Sequence, residues 1–179
     1  MSLVNGTRYG YLKQAINALV DSLASIETVK DRKLGRPMGR HAECTSDKCS
    51  QDVEHKYSGL SLQAVSAQLT ALRNIFTGGN GMGLDDALIK ANRADVARNF
   101  LSAIDQAQTS VEAAIQQGTL QEQIEAVDAT LCKETTQEDR KASICAVHAD
   151  IRQVASVLKT EVIVALALTA PPAHQGDKD

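Results

Sequence analysis

Apolar residues recur at the spacing of an α-helix through most of this chain, and this periodicity limits the possible folds more than any other feature. In the N-terminal segment the spacings of four, three, four and three residues place one apolar stripe along a helix from about Thr7 to Lys30. The stripe consists of Leu12, Ile16, Leu19, Leu23 and Ile26. No segment alternates apolar and polar residues as a half-buried strand does. The chain is therefore predicted to be all-α.

Three further long helices are predicted from the same periodicity. The first covers residues 61–76, and the second runs from a start between 85 and 95 to about 117. The last begins after a capping-box pattern at Thr135 and Glu138 and ends at the Pro171-Pro172 pair. Thr119 and Glu122 form a capping-box pattern that predicts an additional short helix. We expect an up-and-down bundle of four principal helices with antiparallel connections. The chain, residues 1–179, should form a single domain with a flexible tail over 171–179.

A glycine-proline turn follows the first predicted helix and opens a long loop that runs to about Gly59. Glycine permits backbone angles that other residues avoid, and proline fixes its own φ. The turn also carries basic side chains, so it is a candidate wall of a cleft for an anionic ligand or a partner. The alternative is a helix-ending turn with solvated charges. The candidate residues are Lys33, Gly35, Arg36, Pro37 and Gly39.

Four cysteines occur as two close pairs, Cys44 with Cys49 and Cys132 with Cys145. An even number and local pairing favour two disulfides, 44–49 and 132–145, and an oxidising compartment. The first disulfide would staple the long loop after helix 1. A zinc site built from all four cysteines is the competing interpretation, although the spacings do not match the usual CxxC knuckles.

Three residues of the same loop, His41, Glu43 and His55, are candidate ligands for iron or zinc. The alternative is that these side chains face water. The sequence contains neither an HExxH motif nor the ExxH motif of di-iron bundles. No Ser-His-Asp or Cys-His arrangement can be assigned from order or spacing, so no catalytic residue is nominated.

The overall charge and hydropathy limit the possible partners. The net charge is -3, and the chain lacks the basic stripe with aromatic platforms of a nucleic-acid-binding protein. We therefore expect no nucleic-acid partner. No hydrophobic run reaches membrane-spanning length, so a transmembrane segment is not expected.

The chain resembles the C-terminal half, or a single-bundle relative, of the imelysin-like proteins. The segment from Lys33 to Gly39 is similar to the family's K-L-G-x-P-x-G turn. The residues from Tyr57-Ser58 to Gly78 are similar to its Y-S … L-x-x-I-x-x-G stretch. The tail Gln175-Gly176-Asp177 is faintly similar to the short acidic ending of the family. The resemblance implies a bacterial periplasmic or outer-membrane lipoprotein linked to iron acquisition, with some members classed as metallopeptidases.

The family's GxHxxE signature, which the resemblance places in the N-terminal half, has no match in this chain. The segment Gly39-Arg40-His41-Ala42-Glu43 is one residue short of it. We therefore expect a non-catalytic domain that binds iron, a metal complex, a protein partner or the missing N-terminal half, attached to a membrane only through a removed lipid anchor. The alternatives are a metallopeptidase that uses His41 and Glu43, and a purely structural interaction bundle.

Overall fold

The computed structural model describes residues 12–127 and 144–166, with side chains from Gln14 onward. Every regular element within these ranges is helical, which confirms the predicted all-α class. The α-helices are α1 (Leu12–Leu23), α2 (Ser25–Thr28), α3 (Ser61–Thr77), α4 (Leu84–Lys90), α5 (Ala94–Ile115), α6 (Leu120–Ala126), α7 (Ile144–Val157) and α8 (Ile163–Ala165). Two π-helical turns, Val29–Gly35 and Leu158–Val162, and one 3₁₀ turn, Ser50–Asp52, complete the list.

Helix α5 lies at the centre of the described fold and packs against α3 and α7. Its apolar stripe is fully buried and interdigitates with the stripes of both neighbours. Phe100 of α5 meets Phe76 of α3 edge to face, with ring centroids 4.7 Å apart, an arrangement that adds to the burial energy of the rings. The other helices are placed around this centre, with α1 against α3, and α4 against α3 and α5.

The first helix departs from the sequence prediction at its C-terminal end. We predicted an end at about Lys30, but the chain continues through α2 into the first π-helical turn and leaves the helix only after Gly35. The backbone N–H of Arg36 donates to the carbonyl of Asp31 at 2.6 Å, and that of Arg40 donates to Gly35 at 2.7 Å. The first half of the glycine-proline segment is therefore helical rather than a turn.

Other local predictions agree with the structure. Helix α3 begins at Ser61 and ends one residue beyond the predicted position. At the start of α6, the N–H of Glu122 donates to Thr119 Oγ1 at 3.3 Å, and the N–H of Thr119 donates to Glu122 Oε2 at 2.8 Å, so the capping box is confirmed. The four-helix up-and-down topology stays a prediction, and the predicted flexible tail, 171–179, lies outside the described residues.

Candidate functional site

Gly35 permits a close approach between the first π-helical turn and α7. A Cβ atom at this position would lie 2.8 Å from the carbonyl oxygen of Lys30 and 3.4 Å from His148 Nε2. The first distance is shorter than real Cβ contacts allow, so any side chain at residue 35 would displace the π-helical backbone. Gly35, the first glycine of the glycine-proline segment, is thus required by the close packing of this turn against α7.

Gly39 has a different role, because it combines a left-handed backbone with a contact to the disulfide loop. Its φ is +73°, and a Cβ there would lie 2.0 Å from the carbonyl oxygen of Asp47. Between the two glycines, the carbonyl of Pro37 accepts a hydrogen bond from the N–H of Cys49 at 3.0 Å. The glycine-proline segment therefore seats the disulfide loop on the helical bundle.

The predicted disulfide between Cys44 and Cys49 is confirmed, with sulfur atoms 2.03 Å apart and Cα atoms 5.9 Å apart. Cys145 is also disulfide-bonded, and its predicted partner Cys132 lies outside the described residues. Since a cysteine in a disulfide offers no thiolate to a metal, the alternative of a four-cysteine zinc site is wrong.

The basic side chains of the turn are paired with carboxylates of the loop. Arg36 contacts two of them, Glu43 Oε2 through Nη1 and Asp52 Oδ2 through Nε, each at 2.9 Å. Arg32 contacts the other oxygen of Glu43 at 3.2 Å. One guanidinium group therefore bridges two separate parts of the loop.

Lys33 completes the arrangement, with its Nζ 2.9 Å from Glu54 Oε2. Three cations thus face three carboxylates, and the six side chains together carry no net charge. We call this set the turn–loop network. Its members are Arg32, Lys33, Arg36, Glu43, Asp52 and Glu54.

The three predicted metal ligands do not come together around a common point. The carboxylate of Glu43 is held by two arginines, and His41 Nδ1 accepts the backbone N–H of Glu43 at 3.2 Å. His55 has a positive φ of 56°, and its carbonyl accepts the N–H groups of Ser58 and Gly59. Residues 12–127 and 144–166 contain no group of three or more His, Cys, Asp or Glu side chains that could hold a metal ion. The donor set therefore does not fit a directly ligated metal.

A buried ion pair lies beneath the turn. Lys30 Nζ is 2.9 Å from Glu27 Oε2, and the two side chains are only 2% and 4% exposed. Asp31 Oδ1 lies 3.4 Å from the same ammonium, and Lys159 Nζ from the second π-helical turn lies 3.9 Å from Glu27 Oε1. Each π-helical turn thus contributes charge to this buried cluster. Such turns are frequent at functional sites, and a buried ion pair is weak evidence for stability alone.

His148 of α7 borders the buried cluster. Removal from water, and then the nearby charges of Arg40, Arg152 and Lys30, lower the pKa of this imidazole from 6.5 to about 4. A hydrogen bond to the backbone of Lys30 opposes this shift only in part. The ring is therefore neutral at pH 7 and can donate an N–H hydrogen bond to the Lys30 carbonyl without adding a further positive charge to those of Arg40, Arg152 and Lys30.

We expect the neutral His148 to make folding stability depend on pH. Its pKa is lower in the folded chain, about 4, than the ordinary 6.5, so the unfolded chain binds the proton first as the pH falls. The stabilisation is complete above about pH 6.5 and is lost progressively towards pH 4, by roughly 2 kcal/mol after allowance for the exposed edge of the ring.

Urea denaturation between pH 7.5 and 4 measures this loss. The variant His148→Gln keeps a hydrogen-bond donor but does not titrate, and its stability should decline less over the same range. Equal pH profiles for the two proteins would contradict the assignment.

Sequence reasoning missed the buried cluster, although one signal was present. The stripe of the first helix continues with a step of four residues from Ile26 to Lys30, and Glu27 follows Leu23 by the same step. Charged residues in the register of an apolar stripe indicate a buried ion pair. His148 was visible only as a residue beside the core position Val147.

Within the described residues, the fold and the site define an all-helical domain with a disulfide-stapled loop and a buried ion pair. The chain belongs to the imelysin family, since the family profile described as Imelysin matches residues 4–158. No curated protein and no solved structure shows a significant match. Among the described helices, none has both the length and the apolar character needed to cross a membrane.

Proposed function

We propose that this imelysin-family domain binds a metal complex at the turn–loop network as part of bacterial iron acquisition, without cleaving peptides. The resemblance described above implies a link to iron acquisition, and the family match supports that resemblance. The metal would arrive within its own organic ligand, because the loop residues do not form a protein ligand set. The turn would recognise the ligand's charged groups rather than the metal ion.

One observation carries the non-catalytic part of the proposal. A metallopeptidase needs a carboxylate or imidazole free to ligate the metal or to accept a proton from metal-bound water. Of the pair that the metallopeptidase alternative uses, His41 accepts a backbone N–H through Nδ1, and both carboxylate oxygens of Glu43 contact guanidinium groups. The carboxylate that would accept the proton of metal-bound water is therefore held by Arg32 and Arg36.

The disulfide supports a periplasmic location. The Cys44–Cys49 bond and the disulfide-bonded Cys145 require oxidising conditions to persist. The resemblance to imelysin-like proteins also implies a location in the periplasm or at the outer membrane. The disulfides and the resemblance therefore support the same location.

Isothermal titration with ferric citrate, and separately with Fe²⁺ and Zn²⁺, tests the binding function. We expect saturable binding of ferric citrate, and at least tenfold weaker binding by the double variant Lys33→Ala/Arg36→Ala, because each residue loses a charge-assisted hydrogen bond. Lys90→Ala/Arg98→Ala is the matched control, since both side chains are exposed on α4 and α5.

Two results would contradict the proposed function. The first is absence of ferric citrate binding by the disulfide-intact protein, whether or not the free ions bind. The second is cleavage of a mixed peptide substrate that is stopped both by a chelator and by His41→Ala, which would favour the metallopeptidase alternative.

A further inference from the structure

The loop already places carboxylate groups where an acidic ligand of the turn would bind. Arg36 uses two different nitrogens for Glu43 and Asp52, at 2.9 Å each. Lys33 holds Glu54 at the same distance. The three cations of the turn therefore form a receptor for several carboxylates at once, and in this conformation the chain's own side chains occupy it.

Resting on the function proposed above, we propose that the ligand is a small polycarboxylate, free or chelating a metal, and that Glu43, Asp52 and Glu54 compete with it for the turn. A planar guanidinium matches carboxylate geometry better than that of any other common anion except phosphate. The number of carboxylates already bound matches a tricarboxylate.

The loop carboxylates are suited to displacement. The side chains of Glu43 and Glu54 are 44% and 49% exposed, and exposed ion pairs contribute little to stability. The side chain of Asp52, the third carboxylate, is 30% exposed. A ligand carrying three carboxylates on one frame would form all of these ion pairs for a single loss of translational and rotational freedom.

The loop backbone remains anchored during this exchange. Lys48 Nζ donates to the carbonyl of Glu125 in α6 at 3.1 Å, and Ser50 Oγ donates to the side chain of Glu125 at 3.3 Å. The disulfide and the bond from Cys49 to Pro37 hold the same segment from the other side. The loop carboxylates therefore stay close to the cations of the turn, and their effective concentration as competitors of the ligand stays high.

Metal-free citrate and tricarballylate are the probes, measured by isothermal titration of the disulfide-intact chain. The neutral-loop variant replaces all three loop carboxylates by amides, Glu43→Gln/Asp52→Asn/Glu54→Gln. We expect it to bind both probes about tenfold more tightly than the natural chain, because the internal competitor is gone.

The matched control changes net charge equally at three carboxylates outside the turn–loop network, Asp21→Asn/Asp47→Asn/Glu112→Gln. It should bind like the natural chain, which separates local competition from a general change in charge. Adding Lys33→Met and Arg36→Gln to the neutral-loop variant should remove the gain. If the triple variant does not fold, the single variant Glu54→Gln, which frees Lys33 alone, should show a smaller gain of the same sign.

Equal affinity of the neutral-loop and control variants would overturn the inference, as would a gain that survives loss of Lys33 and Arg36. Absence of binding by every variant would also overturn it. These failures are separate from failure of the proposed function, since ferric citrate could still bind the natural chain with an affinity that the loop carboxylates do not alter.

Discussion

Replacing Lys30 by Met is expected to lower the free energy of unfolding by about 3 kcal/mol, near the lower end of the range for a broken buried ion pair. The substitution leaves the carboxylate of Glu27, only 4% exposed, without its 2.9 Å partner. Lys159 stays 3.9 Å away, too far for a hydrogen bond but close enough to moderate the loss. Urea denaturation gives the energy directly, and the melting temperature should fall by about 10 °C.

Two variants isolate the cause of this loss. The exposed Lys90→Met should change the stability by less than about 0.5 kcal/mol. The double variant Glu27→Leu/Lys30→Met should recover most of the loss, because a buried ion pair replaced by apolar side chains is often no less stable. A double variant as unstable as Lys30→Met would show that the damage comes from packing rather than from the uncompensated charge.

Replacing Gly39 by Ala is expected to cost about 3 kcal/mol. The left-handed backbone, with φ of +73°, accounts for roughly 1–2 kcal/mol of this. The methyl group would also lie 2.0 Å from the carbonyl of Asp47, so the disulfide loop must move. The measurement is urea denaturation under non-reducing conditions.

Gly79 provides the matched control for backbone strain alone. Its φ is +59°, but nothing lies within 4 Å of a Cβ at this position. Gly79→Ala should therefore cost only about 1 kcal/mol. Equal losses for the two variants would mean that residue 39 is constrained by its backbone angle and not by the loop.

Much of the fold could be predicted from local patterns. The stripe of α3 and the capping box of Thr119 and Glu122 depend on residues three or four apart, so a sequence displays them directly. The Cys44–Cys49 disulfide was predictable for the same reason. The end of the first helix was not predicted correctly, since the chain continues as a π-helical turn to Gly35 and packs there against α7.

The candidate site was likewise predictable only where it depends on residues close together in the sequence. The residues of the turn were identified from glycine, proline and charge, but their partners were not, since Asp52 and Glu54 lie 16 and 21 residues from Arg36 and Lys33 respectively. From the sequence, the basic side chains of the turn could be expected to bind an external anion. In the folded chain the loop lies against the turn, and its own carboxylates form ion pairs with these side chains.

The sequence by itself determined the helical class, the local disulfide, the capped short helix and the family, because all of these are encoded in short spacings or in a profile over much of the chain. Only the tertiary structure decided that Lys30 and Glu27 are buried together, that His148 is neutral beside them, and that the basic turn is already filled. Each of these depends on segments distant in the chain that desolvate or neutralise one another, and electrostatic energies follow distance and burial in space rather than separation along the sequence.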